Sequence, residues 1–201
     1  SNNFAYAIGL IASDGNLSAD GRHIYFVSVD LALVENLKNA LKIDTEIFKH
    51  HRGGEKEKKY YVLSFGDVKF CRFLNDIGIH PAKSKTIKEV AIPSAYFSGF
   101  LRGLFDGDGT FYTFWDKRWP TSFGYKISVA SASKTFVLWL KEKLTEKFQV
   151  KGFIRPGDGV FNLNYVKGDS RKLFSIMYPA RLERALFLER KYNKIKLALE
   201  Q

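Results

Sequence analysis

Two hydrophobic rhythms alternate along the chain, and they alternate twice. Residues 22–30 (RHIYFVSVD) and 125–133 (YKISVASAS) switch side-chain character at period two, the pattern of half-buried strands. A helical pattern follows each, LALVENLKNALKI at 31–43 and KTFVLWLKEKLTEKF at 134–148. A hairpin is predicted next in each half. The first is TEIFKHHRGGEKEKKYYVLSF, turning near Gly53-Gly54, and the second is VKGFIRPGDGVFNLNYV, turning at Pro156-Gly157-Asp158-Gly159. Short helical segments close the halves, within KFCRFLNDIGIHPAKSKTI and KLFSIMYPARLERALFLERKYNKI.

The stretches that precede these strands also correspond. AIGLIASDG (7–15) returns 94 residues later as LRGLFDGDG (101–109), with Gly-Leu-apolar in the middle and Asp-Gly at the end. The offset grows to 103 between Leu41 and Leu144 and to 108 between Lys83 and Lys191, because turns in the second copy are longer, notably around TFWDKRWPTS. Each half therefore reads α-β-β-α-β-β-α, and the whole is an α+β, pseudo-two-fold tandem repeat. Residues 1–90 form the first half, 91–95 a linker around Pro93, and 96–201 the second half.

Composition supports a packed protein. Of 201 residues 45% are hydrophobic and 15% aromatic, well clear of the disordered regime. Cys71, the sole cysteine, reads as core and allows no internal disulfide, which suits an intracellular chain, cytoplasmic or organellar. No apolar run approaches the roughly 20 residues of a membrane span. The start SNNFAYAIGL has no basic n-region and no initiating methionine, as expected of a trimmed or processed chain. The four histidines show no metal-ligand spacing.

Net charge changes the picture more. It is +11 overall, and it is uneven. Residues 1–94 carry 13 basic and 11 acidic side chains, whereas residues 95–201 carry 19 and 10. A polyanion is the expected partner, nucleic acid above all, held harder by the second half.

The repeated helices carry the candidate chemistry. Small residues stand four apart, Gly9 and Ser13 in one and Gly103 and Gly107 in the other, so each helix has a face on which another backbone can approach. Helices paired in one direction on those faces bring Asp14 and Asp108 together beside the negative ends of two macrodipoles. Carboxylates so placed need a cation, and a donor set of hard oxygens suits Mg²⁺ rather than zinc. Asp106 stands in support, with Ala12 at its place in the first copy.

AIGLIASDG and LRGLFDGDG resemble the two signature helices of single-chain LAGLIDADG homing endonucleases, and the order of strands and helices after each motif fits nearly the whole chain. The first copy departs from the pattern at Ala7, where leucine is usual, and at Ala12, where an acidic residue is usual; the final Asp-Gly is intact in both. The resemblance implies a central paired-helix interface flanked by two antiparallel four-stranded saddle sheets. Those sheets would lie in the major groove of double-stranded DNA over roughly 20 bp. It implies divalent metal held by Asp14, Asp108 and the carbonyls of Ser13 and Gly107. Mg²⁺ or Mn²⁺ would support cleavage across the central minor groove, and Ca²⁺ would bind without supporting it. It places a lysine near each scissile phosphate, Lys83 and Lys191, with Lys85, Arg190 and Lys194 competing for the role, and a water-positioning residue at Asp30 and Ser133.

Candidate DNA contacts follow from strand parity. Arg22 and Ser28 share a face with Ile24 and Phe26, and neither face of that strand is cleanly polar. Lys126 and Ser128 share the polar face of the matching strand; Arg155, Asn162 and Asn164 stand in the last hairpin; Lys117 and Arg118 would reach along the backbone between Trp115 and Trp119. The expectation is a monomeric nuclease needing no protein partner and no membrane. The alternatives are a cleavage-inactive DNA-binding regulator or an RNA-splicing maturase of the same fold. A calcium- or carbohydrate-binding module using the DGDG turns fits the charge and the repeat less well.

Overall fold

The computed structural model describes residues 1–51, 59–117, 119–179 and 185–200. The expected turn at Gly53-Gly54 lies outside them, as does Arg118. The first half runs α1 (Asn2–Asp14), β1 (Gly15–Leu17), β2 (His23–Ser28), α2 (Leu31–Leu41), β3 (Ile47–His51), β4 (Lys59–Gly66) and α3 (Val68–Asp76). The second runs α4 (Phe97–Asp108), β5 (Gly109–Asp116), β6 (Trp119–Ser131), α5 (Lys134–Phe148), β7 (Phe153–Pro156), β8 (Phe161–Val166), α6 (Lys167–Met177) and α7 (Glu189–Leu199). Both sheets are antiparallel and identically ordered, β1-β2-β4-β3 and β5-β6-β8-β7. The α+β tandem repeat with two four-stranded sheets is thus observed.

The sequence reading needs two corrections here. The second half ends in an additional helix, α7, so the halves are not identical in element count. And TFWDKRWPTS is mostly strand: β5 extends to Asp116 and β6 starts at Trp119. Its β-favouring aromatics outweigh the turn residues between them.

Helices α1 and α4 pack on each other at the centre. Residues 5–12 of α1 are buried on every side, as in a helix enclosed by protein. Glycine is needed at the crossing. A Cβ on Gly9 would overlap the Phe100 carbonyl, and one on Gly103 would overlap that of Tyr6, so the two backbones touch through the positions that the spacing singled out. Each helix stops at a glycine in extended conformation, Gly15 and Gly109, whose N–H bonds back to Ile11 and Phe105 respectively. The chain then turns directly into a strand, so both aspartates sit at a helix-to-sheet junction.

The sheets lie on either side of this pair. Ile24, Phe26 and Leu63 point inward to Leu33, Val34 and Leu37 of α2, and Ile127, Val129, Leu163 and Tyr165 form the matching core face beneath α5. Cys71 is buried, in keeping with a core role. Among the described residues no helix is long and apolar enough to cross a membrane.

Candidate nucleic-acid interface and paired-carboxylate site

The ends of α1 and α4 meet where their last small residues allow it. A Cβ on Gly107 would overlap the Ser13 hydroxyl and stand 2.8 Å from Asp14 Oδ2. Asp14 and Asp108 are therefore neighbours across the pseudo-two-fold axis. Burial pushes the Asp108 carboxyl up to about 7; the charge of Asp14 adds to the rise, and Lys83 and Lys191 oppose it. Asp14 keeps surface open to solvent, yet crowding by protein atoms raises its carboxyl as well, against the same two lysines.

Those lysines occupy equivalent positions. Lys83 is 5% exposed, and its ammonium donates to the Ser13 carbonyl at 3.0 Å. Lys191 donates to the carbonyls of Gly107 (3.1 Å), Phe105 (2.8 Å), Asp106 (2.7 Å) and Gly109 (2.6 Å), sharing three hydrogens among four acceptors. Each ammonium thus answers the carbonyl just before a terminal aspartate, where a helix leaves unpaired acceptors and partial negative charge. Burial lowers both lysines, Lys191 to about 8, while the carboxylates resist the fall. The two sit on different supports. Lys83 lies in the turn after α3, whereas Lys191 lies on α7.

Two cavities flank Asp108. One of about 430 Å³ is bordered by Asp108, Thr110, Arg190, Lys191 and Lys194. The other, about 200 Å³, is bordered by Ser13, Lys83, Ser84, Asp108 and Ser131. Thr110, Ser84 and Ser131 escaped the sequence reading, although Thr110 directly follows the second Asp-Gly. Among the described residues no group of three or more His, Cys, Asp or Glu is placed to hold a metal ion. Two carboxylates with adjacent carbonyls still fit a hard cation such as Mg²⁺, which keeps several waters and needs few protein ligands.

Asp106 does not support this site. It is 1% exposed, and its oxygens accept from Tyr6 Oη (2.8 Å), Tyr178 Oη (3.1 Å) and the Leu188 N–H (2.7 Å). Arg102 adds hydrogen bonds to the carbonyls of Leu186 and Met177, and Asn36 bonds Tyr6 and the Phe187 carbonyl. Leu188 caps α7, three residues before Lys191. The carboxylate therefore secures the helix that carries the second lysine, which explains why the first copy, with its lysine on a turn, manages with Ala12.

Asp30 and Ser133 take up equivalent places, each preceded by a serine that accepts its N–H: Ser28 for Asp30 and Ser131 for Ser133. Ser133 is committed within the protein, whereas Asp30 keeps 18% of its side chain exposed. Asp30 pairs with Arg190 at 2.6 Å, while Ser133 caps α5 through the Phe136 N–H and donates to the Ile87 carbonyl. Ser131, at the edge of the smaller cavity, has the better access.

The sheet faces divide the DNA candidates. Lys126, Ser128, Arg155, Asn162 and Asn164 lie together on the face opposite Ile127, Val129 and Leu163, but Ser128 and Asn164 are buried there, Asn164 donating to the Asn162 carbonyl, so Lys126, Arg155 and Asn162 remain open to a duplex. Lys126 stands 4.8 Å from the Tyr112 ring centre and Arg155 5.3 Å from that of Phe153. Arg22 and Ser28 have the parity of Ile24 and Phe26, which face the core, so the open face of β2 is instead His23, Tyr25 and Val27. The alternation was legible, but which face α2 would cover was not. Lys117 is exposed at the tip of the β5–β6 hairpin, with Trp115 and Trp119 exposed beside it.

The comparisons with known proteins bear on this geometry. The sequence model of the LAGLIDADG-like domain matches residues 1–78 and 96–175, one match per repeat. No curated protein sequence matches the chain. Among solved structures, full-length DUF199/WhiA from Thermatoga maritima is similar over 100% of this chain and 61% of its own, at 18% identity and a TM-score of 0.61. The chain thus spans under two thirds of that protein. The I-LtrWI LAGLIDADG homing endonuclease bound to target DNA matches 99% of this chain and 89% of its own, with 9% identity and a TM-score of 0.64. I-DmoI in complex with DNA and Ca matches 90% and 91%, with 16% identity and a TM-score of 0.58. At these identities the structures attest the fold, and the family rests on the sequence match across both repeats: the chain belongs to the LAGLIDADG-like domain family.

Proposed function

We propose that this chain is a site-specific double-strand DNA endonuclease acting as a monomeric pseudo-dimer. One observation carries the reading. Two carboxylates, each at the end of a buried central helix and each with a lysine on the preceding carbonyl, lie between two sheets whose outer faces are open. A basic chain with two sheets around a central paired site suits a long duplex read on both sides of its cut.

Divalent metal, Mg²⁺ or Mn²⁺, would supply Lewis acidity and an activated water at the aspartates. The chain's own residues do the rest. Asp14 and Asp108, in their ionised forms, would hold that cation. Lys83 and Lys191 present ammoniums for the charge that develops on each phosphate. Arg190 and Lys194 line the larger cavity and draw the backbone toward Asp108. I-DmoI and I-LtrWI, whose structures hold DNA, support this use of the fold.

A cleavage-inactive DNA-binding regulator is the second reading. It is favoured by the two ammoniums already seated on the Ser13 and Gly107 carbonyls, which the resemblance assigns to metal. Incubating a randomised duplex library with the protein and Mg²⁺ separates the two. Cut ends that converge on one long asymmetric motif support the nuclease. Retention of a motif without cut ends supports the regulator, and preference for RNA over duplex points to a maturase.

A further inference from the structure

The register of the two sheets superimposes their open faces row by row. In the first, Val27 of β2 stands opposite Val62 of β4, which stands opposite Phe48 of β3. In the second, the corresponding row is Ala130 of β6, Asn162 of β8 and Arg155 of β7. In the neighbouring row Tyr25 and Ser64 of the first sheet match Ser128 and Asn164 of the second, both buried, with Phe153 exposed beside Asn164. So one row has changed chemistry between the repeats. It is apolar in the first half and hydrogen-bonding in the second.

The apolar row does not belong to the core. Val27 is 43% exposed and Phe48 55%, on the face turned away from Ile24, Phe26 and Leu63. Val62 between them is half-buried, so the three form a contiguous apolar strip on an outer sheet face, where a partner's apolar groups can be received. On the major-groove edges of DNA the apolar group on offer is the C5 methyl of thymine. The second row matches different edges, since Asn pairs well with adenine and Arg with guanine.

Resting on the DNA-binding reading above, we propose that the first sheet reads thymine methyl groups through Val27, Val62 and Phe48, whereas the second sheet reads its half-site by hydrogen bonds through Asn162 and Arg155. At this row the two halves differ in kind as well as in charge, while Tyr112, Phe114 and Phe153 keep apolar groups exposed elsewhere on the second sheet's face. The first half-site requires A·T pairs where this row lies, and it is blind to changes that leave the methyl in place. The second tolerates loss of thymine methyls at the matching row but not exchange of its purines.

The test uses a duplex recovered from a randomised library by binding in Ca²⁺. That duplex is resynthesised with deoxyuridine for thymidine at this row in one half at a time, which removes only the methyls. We expect uracil at this row of the first half-site to weaken binding about fourfold for each methyl lost from contact, and uracil at the matching row of the second to change it less than twofold. Equal losses in both halves, or none in the first, overturn the proposal while leaving DNA binding intact. Retention of no duplex, or of RNA in preference to it, overturns the DNA-binding reading and this proposal together. A second variant keeps the assignment falsifiable at the residues. Exchanging the exposed row, V62N with F48R, should abolish the penalty for uracil and enrich purine-specific positions in a fresh selection. An unchanged uracil penalty in that variant refutes the role of the row.

Discussion

Replacing Asp108 by Asn tests the electrostatics of the centre without altering its shape. In the folded protein the Asp108 carboxyl rises from 3.8 to about 7, chiefly through burial and then through the charge of Asp14. The native state therefore holds a proton that the unfolded chain has released, and stability falls as pH rises between those two values. Roughly 3 units at about 1.4 kcal/mol each sets an upper bound near 4 kcal/mol for the loss. Asn carries no charge to bury, so D108N recovers much of this above pH 7. The attraction to Lys83 and Lys191 is already contained in that rise, and solvent reaching the half-buried carboxyl reduces the gain to about 1–3 kcal/mol, or roughly 3–10 °C in Tm for a chain of this size. At pH 5 the native carboxyl is neutral but the unfolded one, at 3.8, has already released its proton, so about 1.6 kcal/mol of the bound applies there and the gain of D108N should be less than half of that at pH 8. Thermal denaturation in EDTA at pH 5 and pH 8 reads both numbers. Adding Mg²⁺ at pH 8 should then raise the wild-type Tm and leave that of D108N unmoved. A variant less stable than wild type at pH 8, or a difference independent of pH, refutes the reasoning.

Other perturbations separate structure from chemistry. D106A removes the buried carboxylate, leaves its three donors without an acceptor and should cost about 3–5 kcal/mol, with protease cleavage appearing first near residues 185–188, where α7 is anchored; a wild-type melting curve would deny Asp106 that role. G103A drives a methyl into the Tyr6 carbonyl and should destabilise by at least ~3 kcal/mol, checked by chemical denaturation. R190A breaks a surface ion pair with Asp30 whose arginine side is 62% exposed, so stability should change by less than ~1 kcal/mol while duplex affinity falls, a split that denaturation and filter binding report together. Neutralising equal numbers of basic residues in the two halves should flatten the salt dependence of duplex binding more for the second half, and equal slopes would contradict the charge asymmetry.

What was legible in the sequence follows from how locally each feature is specified. The repeat, the strands and the helix–helix face were readable because period-two and i, i+4 spacings are written along the chain, and Gly9 and Gly103 mark a close approach by their size. The pairing of Lys83 with Lys191 emerged from the same repeat alignment. Long-range commitments were not readable. Nothing near Asp106 reveals that Tyr6, Tyr178 and Leu188 surround it, about 100 residues away in the case of Tyr6. Arg22 and Ser28 were misplaced because strand β2 is apolar on both faces, and only the packing of α2 decides which face is covered. The strands at 109–131 were shortened because Asp116, Lys117 and Pro120 have turn character, while Phe114, Trp115 and Trp119 carry the strand on.

The central claim is that Asp14 and Asp108, set between two open sheets, make a cleavage site. It is tested most directly by giving wild type and D108N the same randomised duplex library with Mg²⁺, and recording bound duplexes and released ends together. The account predicts one asymmetric motif retained by both proteins, cut on both strands by wild type and left uncut by D108N. Cutting by D108N at the wild-type rate, or retention by wild type without released ends, contradicts it.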